Sequence, residues 1–167
     1  MAFAAPPPAA WIDVPFVAQV KDGCGSAAIS MILRYWEDHG TRAASELADP
    51  ERIQSALYSA AAGGIPASRM QEYFRSAGYR VFAFRGDWSD LKHHVEAGRP
   101  LVVSLKTSGP WGPLHYVVVV GVDAERGFLY LNDPAQQKLL RISREGFESE
   151  WNPTKNWTLL ALPSQGD

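Results

Sequence analysis

A chain of 167 residues, 46% hydrophobic and 20% charged, is long enough to bury a substantial core within one domain. Its formal net charge of −2 gives no bias toward nucleic acid or an anionic membrane, and no apolar run approaches the roughly 18 residues that span a bilayer. A single cysteine excludes an intrachain disulfide, and four scattered histidines with no CxxC pair give no metal-ligand spacing, so no metal is expected.

Residues 1–10 read as a disordered Pro/Ala-rich tail, and residues 11–167 as a single domain. Ala2-Phe3-Ala4 has the small-x-small pattern found where a signal peptide ends. That sets an expectation of export, periplasmic or extracellular, after signal removal; the competing reading is a cytoplasmic chain with a disordered N-terminus. Trp11 to Val17 reads as extended, with Pro15 keeping it off a central strand. From Cys24 to His39 the pattern is helical, with apolar side chains around most of the circumference, and Gly40 ends it.

Asp49-Pro50 is a helix start, an Asp cap followed by Pro at the first position, and this helix is expected to run to about Ala61. A third helix is expected from Pro66 or Ala67 to Gly78, then a strand from Tyr79 to Phe84. Asp87 or Ser89 caps a short helix through Leu91 and Val95. Beyond Pro100 the character changes to strands: Leu101 to Leu105, His115 to Val122, Phe128 to Leu131, Lys138 to Ile142 and Trp157 to Leu162, with one helical turn after Ser143. Helices first and antiparallel strands second give the α+β class.

Cys24 stands at the start of the first helix, where backbone N–H groups and the helix dipole favour a negative thiolate. A thiol without a partner serves either as buried filler or as a nucleophile. Cysteine catalysis needs an imidazole to move the proton, a group to orient that imidazole, and donors for an oxyanion. His115 begins one strand and Asp133 ends the next. A turn centred near Glu125 places position 115 opposite 134 or 135, which makes the two neighbours. Gln19, five residues before Cys24, supplies an amide that can join the Cys24 N–H in an oxyanion hole. His93 and His94 read as solvent-facing and His39 as a helix-end residue. Trp111, in the Gly/Pro loop from Thr107 to Leu114 that leads into His115, is the candidate apolar wall for substrate.

The segments Val14-Pro15-Phe16-Val17-Ala18-Gln19, Gly23-Cys24-Gly25-Ser26-Ala27-Ala28, His115-Tyr116-Val117-Val118-Val119-Val120-Gly121 and Asn132-Asp133-Pro134 resemble those of papain-like peptidases related to the bacteriocin-processing, double-glycine leader peptidases. The resemblance runs from about residue 12 to 163. It implies a papain-like fold and a cysteine peptidase acting on a peptide or protein substrate, with no cofactor. Cys24 would then be the nucleophile, His115 the base, Asp133 the orienting residue and Gln19 part of the oxyanion hole. Two departures stand out. Gly23 directly precedes the cysteine where leader-processing members usually carry an acidic residue, and no transporter domains accompany the chain, so a free-standing member is expected. Two other readings fit the same residues, a thiol acyltransferase or transglutaminase-like enzyme and a non-catalytic peptide-binding domain. The sequence sets no oligomeric state.

Overall fold

The Val-rich runs that follow Pro100 are apolar on both faces, and such strands persist only where both faces are covered. In the computed structural model, which describes residues 10–40 and 45–164, they become the centre of the sheet. β2 (Tyr79–Arg85), β3 (Leu101–Leu105), β4 (His115–Asp123), β5 (Phe128–Asn132), β6 (Leu140–Ser143) and β7 (Trp157–Pro163) form an antiparallel sheet in the order β2-β7-β3-β4-β5-β6. All of β3 is buried, as is β4 between its two end residues. α1 (Cys24–Asp38) and α4 (Trp88–Glu96) pack on β4, and α5 (Arg144–Trp151) packs on β3, β5 and β6.

The two-residue strand β1 (Ala10–Trp11) continues the edge that β3 leaves, pairing Ala10 with Val122 and Trp11 with Gly121. Ala10 is thus part of the sheet and not of the tail; the remaining tail residues, with the Ala2-Phe3-Ala4 pattern, lie outside the described residues. α2 (Pro50–Leu57) is shorter than expected. Tyr58 turns extended, Ser59 and Gly64 exchange backbone hydrogen bonds of 2.9 and 3.3 Å, and Arg69 takes the carbonyls of Leu57 and Tyr58. Local pairing and a guanidinium cap win over the helix-forming alanines 60–62. α3 (Ala67–Ser76) and the strand after it fall where the pattern puts them. β6 starts two residues late because Leu139 takes a φ of 55°.

Buried Asn132 joins distant pieces. Its Nδ2 donates to Val14 O at 3.1 Å and its Oδ1 accepts from Leu139 N–H at 3.1 Å. The end of β5 is thereby tied to the segment that leads into α1. Removing the carboxamide leaves two inner backbone groups without partners, each costing about 1–3 kcal/mol. Asn132→Ala is expected to lower the free energy of unfolding by about 2–4 kcal/mol in urea titration with an unchanged slope.

Candidate active site

α2, α4 and α5 each start on a side-chain cap, from Asp49, Asp87 and Ser143 respectively. α1 does not. Its N-cap is Gly23, which offers no acceptor, and the first helical bond runs from Ala27 N–H to Gly23 O at 3.0 Å. The N–H groups of Cys24 and Gly25 therefore meet no side-chain cap, and the positive end of the dipole faces outward where the thiol stands. Sterics keep it so. A Cβ on Gly23 would come within 3.0 Å of Val20 Cγ2 and Val20 O, inside the turn that Gly23 N–H closes on Val20 O at 2.9 Å. Asp22, in the left-handed region at φ 57°, completes that turn, and Gln54 Nε2 holds its carbonyl. At Gly25 an added Cβ would lie 3.0 Å from Ile65 Cβ, so the glycine admits Ile65 against the helix start.

The β4–β5 register aligns the other two groups. Val118 pairs with Asn132 and Val119 with Leu131, which sets His115, three residues before Val118, level with Ala135, three after Asn132. Asp133 sits just past the end of β5, within reach. The His115 Nε2–H donates to Asp133 Oδ1 at 2.7 Å, and the two side chains are only 14% and 4% exposed. The carboxylate is held from every side: Oδ1 also accepts from Ala135 N–H at 2.9 Å, and Oδ2 accepts from Gln136 Nε2 at 2.9 Å. With Nε2 committed to Asp133, Nδ1 is the ring nitrogen left for the thiol.

Burial works against the His115 cation. Hydrogen bonds with Asp133 and Cys24, and the negative charge of both, outweigh it and push the imidazole up to about 9. Burial likewise raises the Asp133 carboxyl, but the hydrogen bond and charge of His115, with the Ala135 and Gln136 donors, hold it below the ordinary carboxylate range. Tyr116 is pushed up to about 12, first by burial and then by the charge of Cys24; its hydroxyl donates to Ile65 O at 3.1 Å. Glu150 on α5 also faces the pair: burial and the charge of Asp133 raise it, while His115 lowers it.

Gln19 comes to the same place through its backbone, whose N–H donates to Pro134 O at 3.0 Å. Its buried Oε1 has no hydrogen-bond partner among the described residues. Trp111 does not pack on the sheet. It is 98% exposed, on a loop that Lys106 Nζ pins by donating to Pro110 O at 2.9 Å. The other histidines stand elsewhere: His39 Nδ1 lies 2.6 Å from Tyr35 O at the end of α1, and His93 is exposed. His94 departs from the solvent-facing expectation. It is half-buried, takes a 3.0 Å hydrogen bond from Arg99 Nε, and burial lowers its pKa. Sequence reasoning missed Gln136, although Asp-Pro-x-Gln after a strand is the pattern of a turn that folds back on its own aspartate. Among the described residues no group of three or more His, Cys, Asp or Glu side chains could hold a metal ion.

A thiol at a helix start and an imidazole shared between it and a buried carboxylate are groups that can add a nucleophile to a carbonyl. The sequence model described as the Peptidase_C39 like family matches residues 11–159. Among solved structures, the chain resembles a double-glycine-motif protease from an AMS/PCAT transporter in complex with its leader peptide, at TM-score 0.69 and 20% identity over 92% of this chain and 94% of that one. It also resembles a C39-like peptidase from Bacillus anthracis, at TM-score 0.68 and 18% identity over 95% and 100% of the two chains. The peptidase domain of Streptococcus ComA, a bifunctional ABC transporter in quorum sensing, gives TM-score 0.66 and 22% identity over 91% and 100%. These likenesses show a papain-like peptidase fold, with Cys24 at the start of α1. No curated protein matches the chain at a significant level.

The His115 cation makes two measurable predictions. Its folded value lies above the ~6.5 of an unfolded histidine, so the stability it contributes is full below about pH 6.5 and is lost as pH rises through about 9. In an NMR titration the His115 ring should change near pH 9, and Asp133→Asn should lower that midpoint further than Cys24→Ala does. A midpoint at 6.5 in the wild type would contradict the shared-imidazole geometry.

Proposed function

The chain belongs to the Peptidase_C39 like family and is a cysteine peptidase, and we propose that Cys24, His115, Asp133 and Gln19 are its working residues. The observation that carries this is the His115 ring, bound to Asp133 at 2.7 Å and acted on by Cys24 through hydrogen bonding and charge. Cys24 attacks the carbonyl carbon of a peptide bond. The oxyanion is held by the Cys24 N–H at the uncapped helix start and by the Gln19 side-chain amide, donors that act most strongly as charge develops. His115 gives the proton from Nδ1 to the departing amine, and a thioester forms. His115 then takes a proton from water, which attacks the thioester, and the thiolate returns. Asp133 accepts the Nε2–H throughout and keeps the ring turned toward Cys24.

The substrate is a peptide segment. One of the similar structures contains a leader peptide, in a protease of double-glycine specificity; for this chain, Gly-Gly peptides belong in the first set tested, with Gly23 in place of the acidic residue as the reason to test beyond them. Trp111, exposed on the loop that enters β4, is the apolar contact offered to an incoming chain.

The experiment is turnover of a peptide set with mass detection of an acyl adduct on Cys24. Cys24→Ala and His115→Ala should each abolish turnover with the fold intact, and Asp133→Asn should retain more activity than either. Gln19→Ala should lower kcat by roughly 10²–10³ with little change in KM. Full turnover by Cys24→Ala would end this reading. Trp111→Ala should change which peptides are cut while alkylation of Cys24 by iodoacetamide stays normal.

A further inference from the structure

A cavity of about 230 Å³ opens at the His115 end of β4, between the first residue of α3 and the turn that leads into β7. Leu114, Tyr116, Pro153 and Trp157 give it apolar lining, with Tyr116 and Trp157 meeting edge to face at 5.7 Å. Leu114 and Tyr116 bracket His115 in sequence. The Tyr116 hydroxyl is bonded to Ile65, the residue packed against Gly25 beside the thiol. Side chains alternate along a strand, so the cavity lies on the face of β4 opposite the imidazole, and it adjoins the start of α1 through Tyr116.

Its charge is one-sided. Lys106 and Lys155 line it, no Asp or Glu does, and neither lysine is in an ion pair among the described residues. Lys106 is half-buried and spends one ammonium proton on Pro110 O, which leaves two. Lys155 is exposed but its backbone is fixed, at φ 57° with its N–H on Asn152 O at 2.9 Å. Ser104, paired with Tyr116 across β3 and β4, is buried in the lining, and its hydroxyl has no partner among the described residues. The Thr154 hydroxyl, in contrast, is already committed to backbone carbonyls of Ser104 and Trp151.

Apolar walls with two unmatched cations and an unused hydroxyl suit a group whose methylenes end in negative charge; a basic group would be repelled and a neutral one would leave the cations unmatched. We propose that this cavity is a specificity subsite for a carboxylate-bearing residue of the substrate peptide close to the scissile bond, with Lys106 and Lys155 as its counter-charges. The proposal rests on the peptidase reading above. The carboxylate can come from an internal Glu or Asp side chain or from the terminus of the peptide, and the experiment separates them.

The probe is a positional set of fluorogenic decapeptides in which each position in turn is Glu, Gln, Lys or Leu. Wild type should show one position where Glu exceeds Gln by about tenfold in kcat/KM, as one charge-assisted contact at a partly exposed site provides. Lys106→Met and Lys155→Met should each shrink that ratio toward one, Lys106 more because it is less exposed, and Lys106→Arg should keep it. Free-acid and amidated forms of the preferred sequence should be cut alike if a side chain is read; a preference confined to the free acid assigns the carboxylate to the chain terminus. The same peptides are bound to Cys24→Ala and followed by fluorescence polarisation. Glu-selective binding without cleavage by wild type overturns the peptidase reading, and with it the role in cleavage specificity, and leaves the cavity as a carboxylate-binding site. Cleavage without a Glu preference, or with one that both Met variants leave intact, overturns the subsite alone. Absence of both cleavage and selective binding overturns both.

Discussion

The pairing of Val118 with Asn132 decides where His115 and Asp133 meet. In an antiparallel pair a slip of one residue turns every side chain to the opposite face, and here it would send the imidazole away from its carboxylate. The buried valines of β4 hold the register from within, since any other alignment would expose them. Asn132 holds it from the end, through bonds to Val14 and Leu139 that only one alignment satisfies. The irregularity between Val119 and Gly121 lies on the far side of this anchor from His115. Whatever the hairpin turn does is taken up there, and the two residues between Val118 and the imidazole, Tyr116 and Val117, stay in regular register with β3.

Around that alignment the molecule concentrates groups that fold poorly by themselves. An uncapped helix start, a buried carboxylate and a cationic imidazole each oppose folding in isolation. The last two compensate one another: the carboxylate favours the cation, and the cation lowers the carboxyl. α2, α4 and α5 start on side-chain caps, whereas α1 and α3 start from Gly23 and Pro66 without one, and of these two it is α1 that presents the thiol.

Much of this was legible in the amino acids because it depends on short-range rules. The apolar helical pattern that follows Cys24 places the thiol at a helix start, and the spacing from His115 through Glu125 to Asp133 is hairpin arithmetic. The elements missed or misjudged depend on partners far along the chain. Nothing near Ala61 shows that Arg69 will cap Leu57, and nothing near Gly25 shows that Ile65 will lie against it. His94 looked solvent-facing because its neighbours on the helix are Lys and Glu, yet Arg99, just past the helix, draws it inward. Trp111 shows the opposite limit: composition marks a shaped loop, but whether its indole packs or projects is a tertiary matter, and it projects.

The solitary thiol has a redox consequence. An oxidant that converts Cys24 to a sulfenic acid finds no second cysteine anywhere in the 167 residues, so no internal disulfide can form to shelter the sulfur from further oxidation. Recovery then depends on a small thiol reaching the half-buried sulfur from outside, in competition with irreversible conversion to the sulfinic acid. With Cys24 in its proposed role, catalysis is coupled to the reductant supply of the surroundings, by the absence of a residue as much as by the presence of one.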